Sequence, residues 1–165
     1  MTKVNSKLVD EILKQAKEQL RRTGHLSPTF FMRRGNKVDM TNLDILPNKD
    51  LWSSLMRTLI VNIKPAEYAF LSESWLKIFN PKNPADKLES ELVTQGIKEV
   101  HDLADKIECI IIVYGSKDTA EKTGLIKFRR LQSGIEFSEL EWFPTTVTGR
   151  LANLWNPFGG EDKSN

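Results

Sequence analysis

Several things are scarce in this sequence, and each scarcity narrows what the chain is expected to be. One cysteine, Cys109, stands in 165 residues, so no disulfide forms within the chain. The two histidines, His25 and His101, are not in ligand-spaced groups. His101, Asp102 and Asp105 share a helical stretch, but no cysteine or second histidine joins them, and no metal is expected. Gly-x-Gly-x-x-Gly, Gly-Lys-Ser/Thr and Gly-x-Ser-x-Gly are all missing. With them go the phosphate cradle and the nucleophile elbow, and no cofactor is expected. No apolar run approaches the ~18 residues that span a bilayer. Met1 to Lys7 lead into a charged amphipathic stretch instead of an apolar leader, so a cytoplasmic protein is expected. Neither sign of charge dominates: 24 Lys+Arg face 22 Asp+Glu. That balance excludes a strongly basic nucleic-acid binder but leaves room for a local basic patch.

What is present is an ordinary globular composition, 39% hydrophobic and 28% charged. It predicts one domain over residues 1–145 and a tail over 146–165. The centre of the pattern is Ile107 to Gly115, where Ile110 to Val113 puts four β-branched residues together. Such a short apolar run reads as a strand buried on both faces. Cys109 lies inside it with no cationic neighbour, which fits a small buried hydrophobe better than a reactive thiol.

Around this strand the elements can be read in order. Residues 6–22 carry Leu8, Val9, Ile12, Leu13, Ala16 and Leu20 on one helical stripe. Asn5 or Ser6 caps its start, and Gly24 follows its last turn. Thr29–Arg34 and Lys37–Met40 flank Gly35-Asn36, a turn pair suited to positive φ. That hairpin puts Phe31, Val38 and Met40 on one face. Asn48 caps a second helix that ends at Lys64-Pro65. Its apolar arc from Leu51 to Ile63 is wide enough for packing on two sides, or deeply against a sheet. Glu67–Ile78 reads as a long strand. Asn83-Pro84 opens a helix expected to run from about residue 85 to 105, with Gly96 inside it as a point of close backbone approach. Gly115–Gly124 reads as a polar loop.

Leu125–Leu131 and Ile135–Trp142 form a second hairpin about Ser133-Gly134. Alternation fails along its second strand unless one extra residue is inserted near Ser138-Glu139. With that bulge, Ile126, Phe128, Ile135, Phe137, Leu140 and Trp142 share the core face. Lys127 and Arg129 then oppose Glu136, Glu139 and Glu141 outside. The tail carries Leu151, Leu154, Trp155 and Phe158 on a short aromatic helix. They either fold back over the domain or dock into a partner.

Three features hold possible chemistry. Glu73 sits mid-strand between Ser72 and Ser74. Buried, it needs a cationic or hydrogen-bonding partner and becomes a catalytic candidate; on the wet face, the commoner place for an acid, it means nothing. Arg33, Arg34 and Lys37 cluster at a hairpin tip, either as a screened wet tip or as a contact for nucleic-acid phosphates. No aromatic platform interleaves them, as sheet-based single-strand binders require. The apolar tail residues are the partner-binding candidates.

Two short motifs also resemble a pattern in small uncharacterised proteins of prokaryotes and their phages and plasmids. Ser72-Glu73-Ser74-Trp75 resembles a strand ending in Ser-Glu-Ala-Trp. Pro84-Ala85-Asp86-Lys87-Leu88-Glu89 is similar to a following Pro-Asp-Arg-x-Glu segment. The chain departs from that pattern by the extra Ala85, by Lys87 in place of arginine, and by a helical pattern where the group continues as strand. The resemblance implies a helix-then-sheet α+β domain and no activity.

The fold expected is therefore α+β, an antiparallel sheet of about five or six strands with helices mainly on one face. The function expected is a non-enzymatic binding or accessory protein, working through an unknown protein partner or self-association and not in a membrane. The alternatives are a nucleic-acid-associated protein of a phage, virus or plasmid, and a small enzyme using Glu73.

Overall fold

The structure is a computed structural model. It describes Val4, residues 6–76, Asn80, residues 82–98 and residues 106–143. Helix α1 (Lys7–Thr23) is followed by strands β1 (Thr29–Arg34) and β2 (Lys37–Asn42). Helix α2 (Lys49–Ile63), strand β3 (Glu67–Leu76) and helix α3 (Pro84–Thr94) come next. Strands β4 (Ile107–Ser116), β5 (Lys122–Leu131), β6 (Gly134–Phe137) and β7 (Glu141–Trp142) complete the order. The sheet runs β2-β1-β3-β4-β5-β6, with β7 also on β5. Every pairing is antiparallel. The α+β class and the antiparallel sheet are thus those read from the sequence, and β4 is the interior strand expected of Ile110 to Val113.

The helices divide between the two faces. The buried stripe of α1 is Leu8, Val9, Ile12, Leu13, Ala16 and Leu20, as the periodicity indicates. It covers Phe31, Ala69, Leu71, Ile110, Ile112, Ile126 and Phe128. Helix α2 covers the opposite face, where Met56 and Ile60 meet Phe30, Met32, Tyr68, Phe70 and Val113. Among the described residues the wide arc of α2 packs on the sheet side alone, and Leu51 and Val61 stay exposed. Because each helix takes one parity of every central strand, β3 and β4 are apolar at consecutive positions instead of alternating. Tyr68, Ala69, Phe70 and Leu71 are all nearly inaccessible.

Local chemistry sets the boundaries. The Ser6 hydroxyl accepts from the Val9 N–H at the start of α1, and Gly24, at φ 76°, closes the other end. Asn5, the other cap candidate, is outside the described residues. Asn48 caps α2. Asn83 caps α3, with Pro84 in its first turn. That third helix is shorter than its pattern suggests. Gly96 adopts φ 76°, which ends the helix, and a Cβ placed there meets none of the described residues within 4 Å, so among them it marks no close approach. Its N–H reaches Val93 O at 3.0 Å, and the Ile97 N–H reaches Leu92 O at 2.9 Å, the crossed pair of a Schellman stop. No residue of α3 is buried. The rest of the expected helix, with His101, Asp102 and Asp105, lies outside the described residues, as do residues 77–78 of the long strand.

The bulge near Ser138 is present. Phe128 pairs with Phe137, whereas Leu125 pairs with Glu141. Ser138, Glu139 and Leu140 therefore stand against Ile126 and Lys127 alone. The Ser138 N–H donates to Lys127 O at 2.8 Å, and the Ser138 hydroxyl accepts from the Lys127 N–H at 2.9 Å. The side chain thus supplies the acceptor that the displaced backbone cannot. Past it, Trp142 returns to the core face, with Ile135, Phe137 and Leu140 packed against the same cluster. Outside, Arg129 pairs with Glu136.

The stretch from Gly115 to Gly124 is less of a loop than its polarity suggests, since β4 runs to Ser116 and β5 starts at Lys122. Both glycines are strand residues lying under an aromatic ring. Tyr68 pairs with Gly115 and Trp142 with Gly124. A Cβ on Gly115 would come within 2.4 Å of the Tyr68 hydroxyl oxygen, and one on Gly124 within 2.9 Å of the Trp142 ring. The missing side chain is the space the ring fills.

Candidate functional site

Glu73 lies on the α1 face, because its parity on β3 is that of Ala69 and Leu71. It is half-buried and well partnered. The Leu26 N–H donates to its carboxylate. His25 Nδ1 is 3.3 Å from Oε1, and Arg130 Nη2 is 3.8 Å from Oε2. Arg130 also donates to both Glu108 oxygens, at 3.1 and 3.0 Å, and to the carbonyl of Gly24 at 2.9 Å. The group fastens the end of α1 and the strand that follows to β3, β4 and β5. The partner that the sequence reading demanded for a buried Glu73 is therefore there, in the form of a tie between elements.

The more deeply held acid is Glu67, which the sequence reading passed over. It is 8% exposed at the first position of β3. The Ser6 hydroxyl donates to its Oε1 at 2.6 Å and the Tyr114 hydroxyl to the same oxygen at 2.8 Å. Arg33 Nε holds Oε2. Burial alone would raise this carboxyl's pKa, but the hydrogen bonds from Ser6, Arg33 and Tyr114 outweigh it and hold the group below its ordinary value. Tyr114 moves the other way: burial raises its pKa, and its bond to the carboxylate raises it further. The signal for this site was parity. Glu67 heads the row of Ala69 and Leu71, so an inward-facing row begins with an acid.

The basic tip is not a bare cluster. Arg33 is committed to Glu67. Arg34 Nη2 is 2.7 Å from Asp39 and Lys37 Nζ is 3.6 Å from it. The Arg34 hydrogen bond lowers the pKa of Asp39 against a small burial effect, and Lys37 adds to the lowering. Arg34 and Lys37 do face each other across the turn, as expected, and Asp39 relieves the repulsion. Gly35 takes φ 59°, while Asn36 does not adopt positive φ. The turn is therefore of the type with glycine first and not the expected pair.

Beside this tip runs the open edge of the sheet. Strand β2 pairs only with β1 among the described residues. The Leu43 N–H donates to Pro28 O at 2.8 Å, which fixes the alternation: odd residues of β2 turn their backbone groups to β1. Val38, Met40 and Asn42 accordingly aim theirs outward. The side chains of Val38 and Met40 share the face of Phe31, as the pattern indicates. The stripe of α1 stops short of them, so they are 44% and 66% exposed and add nothing to the core. A cleft of ≈ 530 Å³ opens next to Val38, lined by Lys7, Leu8, Glu11, Arg33, Asn36 and Glu67.

No family model, curated protein or solved structure matches the chain.

The remaining sequence candidates are placed more briefly. Leu151, Leu154, Trp155 and Phe158 lie outside the described residues. Among the described residues, no group of three or more His, Cys, Asp or Glu is arranged to hold a metal ion. No described helix is long and apolar enough to cross a membrane. Cys109 is fully buried, and burial pushes its thiol up to about 11, against a small opposing effect of Lys127. The thiolate needed for nucleophilic or redox chemistry is thereby suppressed.

Proposed function

We propose that this is a non-enzymatic binding or accessory protein that acts through protein–protein contacts, with the outer edge of β2 as the contact surface. The observation that carries this reading is the edge itself. Over residues 37–42 it presents backbone groups with no strand partner among the described residues, next to two exposed apolar side chains, Val38 and Met40. Sheets usually blunt such an edge with proline, a bulge or a covering element. Among the described residues none of the three is found along β2, and the charges at positions 37 and 39 neutralise each other. An extended segment can add there as a further strand, with its side chains against Val38 and Met40.

The ion pairs of Arg33, Arg34 and Lys37 favour this reading over a nucleic-acid-associated one, because a phosphate would have to displace Glu67 or Asp39 to reach the tip. The commitment of Glu73 to Leu26 and Arg130 likewise favours a structural role for that carboxylate over a catalytic one.

The test is site-specific photo-crosslinking in cells, with a benzophenone amino acid at Met40 and, as control, at the exposed Lys82. Discrete protein adducts from position 40 and none from position 82 are expected. Equal labelling at both positions, or none at either, would sink the reading.

A further inference from the structure

The order of residues along β2 is self-complementary, and it identifies an occupant for the edge. Resting on the reading of β2 as a contact surface, we infer that the added strand is the β2 of a second copy of this chain, antiparallel about a twofold axis through the shared sheet.

Backbone geometry limits the registers. The outward N–H and C=O groups belong to the even-numbered residues, as the Leu43–Pro28 bond fixes. Narrow hydrogen-bonded pairs therefore join even to even. The same parity keeps the α1 faces of the two copies on one side, since opposite residues share a face and a one-residue slip would invert them.

Charge chooses among the registers that remain. When Val38 lies opposite its own copy, Lys37 of each strand lies opposite Asp39 of the other, and this happens twice. These are non-hydrogen-bonded positions, where side chains approach most closely. Sliding the strands by the next allowed step sets Asp39 against Asp39, a like-charge pair. The step after that leaves Asp39 opposite Thr41, with nothing gained.

Shape agrees with the charge-matched register. It brings Met40 of the second copy opposite Asn36, on the face where the cleft of ≈ 530 Å³ opens beside Leu8, Asn36 and Val38. Met40 is 66% exposed in the single chain, and its flexible thioether suits an irregular recess. The overlap covers only residues 36–40, so the contact belongs at the small end of interface sizes. The dimer is then a modest one, with a Kd on the order of 10–100 μM.

The experiment is analytical ultracentrifugation of the full chain from about 1 μM to about 1 mM, a range bracketing that affinity. Wild type passes from monomer to dimer across the range. Lys37→Asp and Asp39→Lys each weaken the dimer by about tenfold or more, because each opposes like charges twice. An equimolar mixture of the two variants regains the wild-type affinity, since the acids of one strand meet the lysines of the other. Far-UV circular dichroism of each variant verifies that the fold is kept. A wild-type dimer that neither variant weakens places the interface elsewhere and overturns the inference. So does a mixture that fails to regain affinity. A wild type that stays monomeric, with position 40 crosslinking only to other proteins, overturns the second copy as occupant and leaves the β2 edge as a contact surface.

Discussion

Glu67 ties together the helix cap and both central strands, and it is the one buried acid among the described residues. One oxygen accepts from Ser6 and Tyr114 and the other from Arg33. Replacing it by glutamine keeps the shape, removes the charge and leaves at least one donor poorly matched. A loss of roughly 1–3 kcal/mol in urea unfolding at neutral pH is expected for Glu67→Gln. An unchanged midpoint would show that the cluster is bystander geometry. The pH dependence follows from the lowered pKa. The unfolded carboxyl titrates near 4.5 and the folded one below that. The stability contributed by the charge is fully present above 4.5 and disappears as the pH falls through the folded value. The gap between wild type and Glu67→Gln should therefore close on acidification below 4.5 and stay constant from there to neutrality. At this scale the sequence named Glu73 and missed Glu67. Glu73 was conspicuous because serines flank it. Glu67 was inconspicuous because its partners, Ser6, Arg33 and Tyr114, come from distant parts of the chain.

Among the elements, the hairpin of β5 with β6 and β7 is the most informative, because a broken alternation was enough to locate its bulge. Six apolar residues can share one face only if one residue is inserted, and the Ser138 hydroxyl stands in for the backbone acceptor the insertion displaces. Inserting one residue after Glu139, with the bulge kept at one residue, sets Glu141 opposite Gly124 and so turns Glu141 inward and Trp142 outward. That variant is expected to lose roughly 3–5 kcal/mol, the scale of removing a large aromatic from a core, and to bury a charge as well. Thermal unfolding of the variant is the check, and near-native stability would mean the spacing beyond the bulge is not what places Trp142. Helix α3 shows the opposite outcome. Its cap and proline start were plain in the sequence, but its end was not. Gly96 reads equally as an interior glycine or as a left-handed stop until the backbone is seen.

For the molecule as a whole, the sheet has one layer on each face over β3 and β4, and these strands hold five of the twelve largest fully buried side chains. Helix α3 has no buried residue. Stability should be graded accordingly. In native-state hydrogen exchange, amides of β3 and β4 are expected to open only with global unfolding. Those of α3 should exchange by local opening, orders of magnitude faster. Glu67→Gln should lower protection in β3 and β4 by its full unfolding cost and leave α3 unchanged. Equal protection in α3 and β4 would overturn this division.

The sequence by itself determined the elements, their caps, the bulge and the antiparallel α+β class. Those depend on periodicity, on capping side chains and on turn chemistry, all of which act within a few residues of chain. Only the tertiary structure decided the rest. It put α1 and α2 on opposite faces, brought Ser6, Arg33, Glu67 and Tyr114 together, and left Val38 and Met40 uncovered on the open edge. The reason is physical. A stripe of apolar residues states that a face is buried, but not which surface buries it. An edge strand carries the same alternation as an interior one, and its free hydrogen bonds appear only when its neighbours are known.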